Sequence, residues 1–140
     1  MSGLIEEIGL INTLTVNRLT PHGAFLKLSE GEVLLPNKFV AEGLKPGDEV
    51  EVFVYTDSED RIVASTQIPK GVLNDFVALE VIDIAPFGAF LEWGLDKHLL
   101  LPTNEMESPL SVGDICVVKI VLDHRTNRLI GVSKLRAFLK

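Results

Sequence analysis

Apolar and polar residues alternate with a period of two along most of the chain, which is the signature of strands that bury one face. The stretches Ile11-Asn12-Thr13-Leu14-Thr15-Val16, Gly23-Ala24-Phe25-Leu26-Lys27-Leu28 and Glu49-Val50-Glu51-Val52-Phe53-Val54-Tyr55 follow it, as does Cys116 to Leu122. They are rich in β-branched and aromatic residues. Turn-forming clusters separate them: Ser29–Glu32, Lys45–Asp48, Asp57–Asp60, Val112–Asp114 and Asp123–Asn127. The stretch Asn37–Gly43 breaks the alternation, and its Asn start and Gly stop predict about one helical turn.

The pattern occurs twice. Pro21-His22-Gly23-Ala24-Phe25-Leu26 returns as Pro86-Phe87-Gly88-Ala89-Phe90-Leu91, and Val33-Leu34-Leu35-Pro36 returns as Leu99-Leu100-Leu101-Pro102. Pro46-Gly47-Asp48-Glu49-Val50 matches Val112-Gly113-Asp114-Ile115-Cys116, and Asp60-Arg61-Ile62-Val63-Ala64 matches Asn127-Arg128-Leu129-Ile130-Gly131. The offset drifts from 65 through 66 to 67, as single-residue loop insertions produce. Self-similarity at this period means two copies of one structural unit. The expectation is an all-β chain of two domains, 1–66 and 71–140, joined by Gln67-Ile68-Pro69-Lys70-Gly71. Five short strands each, with a helical turn between the third and fourth, predict two consecutive OB-type barrels.

Counting faces singles out the rings. Ala24, Leu26 and Leu28 share one side of their strand and must be core, which turns Phe25 and Lys27 outward; Ala89, Leu91 and Trp93 likewise leave Phe90 and Glu92 outside. In the fourth strand Val50, Val52 and Val54 leave Glu51, Phe53 and Tyr55 on the other side, while Cys116, Val118 and Ile120 leave Lys119 outside. An outward ring gains the roughly 2 kcal/mol of burial only when something covers it. The lone Cys116 reads as packing.

Gly-Ala-Phe after a ring, an aliphatic pair before the helical turn, Gly-Asp before the fourth strand, and Asp then Arg around the entry to the fifth together resemble the S1 domain, an RNA-binding OB-fold. The resemblance covers both units. It implies an RNA-facing patch of Phe87, Phe90, Asp123 and Arg128 in the second unit and of His22, Phe25, Asp57 and Arg61 in the first. Pro36 and Pro102 stand where that family has histidine, and His22 replaces the first ring of the first copy. The runs Pro46–Tyr55 and Arg61–Pro69 resemble the N-terminal part of the bacterial conserved virulence factor B family, in which several S1-type domains precede a winged-helix domain. That resemblance implies either further C-terminal domains in a longer parent chain, with Ser133–Lys140 as the start of a connector, or a short relative of the family.

The chemistry expected of such a patch is stacking of unpaired bases on Phe25, Phe87 and Phe90, with Lys27, Arg61, Lys119 and Arg128 meeting phosphates. Single-stranded RNA is the expected partner. Asp57 and Asp123 have two readings, an RNA contact or an aspartate that bonds its own turn. Charge supports a local binding face over a bulk one: the net charge is −7, with five basic and eleven acidic residues in 1–66 against eight and nine in 67–140. The acidic first unit makes a protein-interaction module the alternative function. Catalysis is not expected, because His22, His98 and His124 fall in separate loops, with no metal-ligand spacing and no nucleophile–base arrangement. No cofactor, no metal and no membrane span are expected, and one cysteine fits the cytoplasm.

Overall fold

The computed structural model describes residues 8–57 and 59–134. Residues 1–7, Ser58 and residues 135–140, which hold most of the expected connector start, lie outside them. The chain divides into two units, Met1–Ile68 and Pro69–Lys140. The first holds β1 (Ile11–Thr20), β2 (Gly23–Lys27), β3 (Glu32–Pro36), β4 (Glu49–Thr56) and β5 (Ile62–Ser65). The second holds β6 (Phe76–Ala85), β7 (Gly88–Glu92), β8 (Leu99–Pro102), β9 (Ile115–Asp123) and β10 (Arg128–Val132). Each set closes into a five-stranded barrel, ordered β1-β2-β3-β5-β4 and β6-β7-β8-β10-β9. Within each barrel only the third and fifth strands pair in parallel.

Closure depends on a long first strand that serves two neighbours. The first half of β1 pairs with β4 and the second half with β2, with a bulge between Val16 and Arg18 where the change occurs. In the second barrel β6 bends in the same way between Val81 and Asp83. A bulge inserts an unpaired residue and sharpens the twist, so one strand can turn the barrel corner. The Gly-Asp turn locks this bend. Gly47 N–H donates to Val16 O at 2.9 Å and Val16 N–H to Asp48 O at 2.8 Å; Gly113 and Asp114 repeat both bonds to Val81 at 2.8 Å each.

The alternation fills the interiors as expected. Val16, Ala24, Leu26, Val33, Leu35, Val52 and Val54 form the first core, and Leu79, Val81, Ala89, Leu91, Leu99, Leu101, Val118 and Ile120 the second. Trp93 is buried, and its indole N–H donates to Lys97 O at 2.7 Å. Cys116 is buried too, and burial pushes its thiol above the usual range.

Two details differ from the sequence expectation. The helical turn is a three-residue 3₁₀ turn, Asn37–Phe39, mirrored by Thr103–Glu105. Asn37 does not cap it: Pro36 holds the cap position, and the Asn37 amide donates to Pro21 O, tying the turn to the β1–β2 loop. Gly43 does not end it either, since Val40 is already extended. The second difference concerns β4, whose outer face is not free. Phe53 has no exposed surface and Tyr55 is buried, their rings stacked at 5.8 Å, and their cross-strand partners Ser65 and Val63 are buried as well. Alternation sets which side a residue takes, but not whether that side meets water.

Candidate nucleic-acid interface

Glycine decides where the outward phenylalanines sit. A methyl group on Gly23 would lie 2.1 Å from Leu35 O, and one on Gly88 would lie 2.5 Å from Leu101 O. β2 therefore runs against β3, and β7 against β8, closer than any side chain permits. Phe25 is set opposite Leu34, and Phe90 opposite Leu100. The parallel pairing continues each row around the barrel. One row reads Arg18, Phe25, Leu34, Val63, Tyr55, and its counterpart Asp83, Phe90, Leu100, Ile130, Val121.

The structure brings Phe87 and Phe90 together. Their rings meet edge to face, with centroids 5.8 Å apart at 87°, an arrangement favoured by the ring quadrupoles. Phe87 stands 60% exposed on the loop entering β7, while Phe90 is half-buried. A flat ligand laid on one ring therefore borders the other. Arg128 lies on the same outer face, two strands and one residue pair away, roughly 12 Å by ordinary strand spacing. It stands opposite Asp123, which is occupied in its own turn by Arg125 N–H at 3.0 Å.

In the first barrel the equivalent ring is covered. The Arg18 guanidinium lies over Phe25, 4.2 Å from the ring centre, and Glu32 on β3 holds it there at 3.0 Å. Asn17, the bulge residue, also donates to Glu32. Arg18 foremost, then Asn17, keep the Glu32 carboxyl below the usual carboxylate range. His22 is exposed in the β1–β2 turn, and Lys27 is exposed opposite Glu32. Sequence reasoning missed the Arg18 clamp, since a bulge brings its two halves together from positions 14 residues apart.

Asp57 serves its own loop. Its carboxylate accepts the N–H groups of Glu59 and Arg61 at 2.9 Å and the Arg61 Nε at 2.9 Å. Partial burial works against its ionised form, but the N–H groups of Arg61 and Glu59 and the Arg61 side chain outweigh that, so its pKa falls below the ordinary value. Lys119 does not join the rings. It sits on the outer face of β9, its ammonium 5.6 Å from the Phe76 ring centre, and β6 or the pair β8 and β10 intervenes between β9 and β7.

Residues 8–67 match the family model of the S1 domain, which spans nearly all of the first barrel. The first unit thus resembles an S1 domain. The chain is 35% identical over 95 residues to uncharacterized protein YitL of Bacillus subtilis, covering 67% of this chain and 32% of that protein. It is 26% identical over 141 residues to polyribonucleotide nucleotidyltransferase of Aquifex aeolicus, covering 82% of this chain and 18% of the enzyme. It is also 24% identical over 127 residues to conserved virulence factor B of Staphylococcus saprophyticus, covering 88% and 40%. The chain thus spans at most two fifths of these curated relatives. Among solved structures, a multidomain protein with nucleic acid binding domains from Streptococcus pneumoniae superposes with a TM-score of 0.77 at 16% identity, covering 95% of this chain and 48% of that one. No helix among the described residues is long and apolar enough to cross a membrane.

Proposed function

We propose that this chain is a bacterial single-stranded RNA-binding factor that works in the cytoplasm by base stacking and performs no catalysis of its own. The observation that carries the reading is the edge-to-face pair of exposed Phe87, on the loop into β7, and half-buried Phe90, on its outer face. Every base has a π-face, so such a platform takes unpaired bases with little regard for sequence, and stacking on an aromatic contributes about 1–3 kcal/mol per base. Duplex bases already stack on one another, and nothing among the described residues forms a recognition helix for a major groove. Arg128 supplies phosphate contact beyond the rings, while Asp83 beside Phe90 keeps the local charge low.

The first barrel carries a weaker site. A base reaching Phe25 must first displace a guanidinium that Glu32 anchors, within a unit of net charge −6. That same clamp and charge favour a second reading for the first barrel alone, a surface for docking protein.

Fluorescence anisotropy of a labelled single-stranded RNA at low salt tests the proposal. Micromolar or weaker binding is expected, with a shallow salt dependence because few cations contact phosphate. Phe90→Ala should raise Kd by roughly five- to 150-fold, the stacking contribution of one base. No binding at low salt, or wild-type binding by Phe90→Ala, would overturn it.

A further inference from the structure

The two barrels differ on the outer face shared by their first and fourth strands. In the first barrel the facing pairs Thr13–Glu51 and Thr15–Glu49 of this face are polar, followed by Ile11–Phe53, of which only Ile11 is exposed. The same register positions in the second barrel hold Ala78–Val117 and Glu80–Ile115, followed by Phe76–Lys119. Ile115 is 66% exposed, Val117 52% and Phe76 48%, and Val112 stands exposed at the turn into β9. Water on three adjacent apolar side chains of one sheet face is unfavourable, and contiguous exposed apolar surface of this kind marks an interaction site.

We infer that this face of β6 and β9 pairs with the same face of a second copy of the chain. The charges at its two ends single out that occupant. Glu80 closes one end of the strip, and Lys119, its ammonium drawn over the Phe76 ring, closes the other. A two-fold axis lying between the faces and across the strands sets Ala78 and Val117 against their own copies. It also brings the partner's Glu80 to the Phe76–Lys119 end, so both ends gain an opposite charge. A closed two-fold interface requires this self-complementarity, and a strip acidic at one end and basic at the other supplies it. The strip spans three residue pairs on two strands, well below the roughly 800 Å² per partner of a standard stable interface, so the dimer is weak.

Sedimentation velocity on the whole chain from about 10 μM to about 1 mM tests this, a range suited to an interface of this size. The wild type should move toward twice the chain mass as concentration rises. Val117→Glu should require at least about tenfold higher concentration for the same shift, the equivalent of 1.4 kcal/mol. Its folding is not at stake, because Glu51 occupies the same position in the first barrel; a circular dichroism melt matching the wild type verifies this. Glu80→Lys should weaken the dimer, and adding Lys119→Glu to it should restore association. A wild type that stays monomeric across the range leaves the face to some other protein and overturns the inference. A dimer that Val117→Glu leaves unchanged overturns it equally.

Discussion

Substituting Gly23→Ala tests the claim that the strand carrying Phe25 is set by a backbone approach only glycine allows. The new Cβ would sit 2.1 Å from Leu35 O, 0.9 Å inside the 3.0 Å that such contacts tolerate, with Asn37 N at 3.0 Å and Leu35 C at 3.1 Å. All three obstacles are backbone atoms, so no side chain can swing aside. Relief demands that β2 and β3 separate, which strains their ladder and the bond from Asn37 N–H to His22 O. Overpacking of this kind costs about 1–3 kcal/mol, and the Gly23 φ of +146° adds a conformational penalty of about 1–2 kcal/mol for any L residue. The expected loss is therefore about 2–5 kcal/mol.

Gly47→Ala is the control, because its φ of +95° carries the conformational penalty while nothing lies within 4 Å of the added carbon. Urea unfolding followed by far-ultraviolet circular dichroism measures both. Trp93, the sole tryptophan, reports the second barrel separately. Gly23→Ala should lower the first barrel's midpoint by roughly 2 M more than Gly47→Ala, given a slope near 1 kcal/mol/M for a unit this small. Equal midpoints would refute the close-approach argument.

Phe53→Ala should cost the first barrel about 3–5 kcal/mol in the same assay, because the ring is fully buried, whereas Phe76→Ala on the exposed face of the second barrel should cost under about 1 kcal/mol. Phe25→Ala should change RNA affinity less than about twofold, against the much larger effect of Phe87→Ala, whose ring is open to a stacking base worth about 1–3 kcal/mol. The Asp57 pKa is lower folded than unfolded, so its ionised form favours the fold. Its contribution is complete above about pH 5 and is lost as pH falls through the folded value, and Asp57→Asn should flatten that acid limb in stability measured between about pH 5 and pH 2.

Barrel closure was legible because it depends on local signals. Alternation gave the strands, and Gly47-Asp48 and Gly113-Asp114 marked the turns that lock each corner. The ring pair was legible for the same reason, since Phe87 and Phe90 lie three residues apart on one strand entry. What stayed hidden depends on contacts between distant segments. The Arg18 clamp needs a bulge at Asn17 to align β1 with β2, and no pattern of hydrophobicity encodes a bulge. The buried Phe53 needs a cover on a face that alternation labels only as not interior. Lys119 shares the outward parity of the rings, but the strand order around a closed barrel sets it on a different side. Parity along a strand is a one-dimensional property, and a barrel's outside is a closed surface.

The divergence between the copies follows from that distinction. Interior positions must fill the same volume twice, so Ala24 and Ala89, Leu26 and Leu91, and Leu35 and Leu101 are identical and fully buried. Exposed outer positions carry no such constraint, and there the copies part: Arg18 against Asp83, Glu32 against His98, Glu51 against Val117. Each exchange changes what the surface can meet without changing the barrel beneath it. The first copy has turned its stacking ring toward its own arginine and kept the pairs Thr13–Glu51 and Thr15–Glu49 of its β1–β4 face polar. The second sets an exposed and a half-buried ring together at the entry to β7 and has an apolar strip on its β6–β9 face. The rings at the entry to β7 and the apolar strip on β6 and β9 thus differ in chemistry, with β6 bordering both.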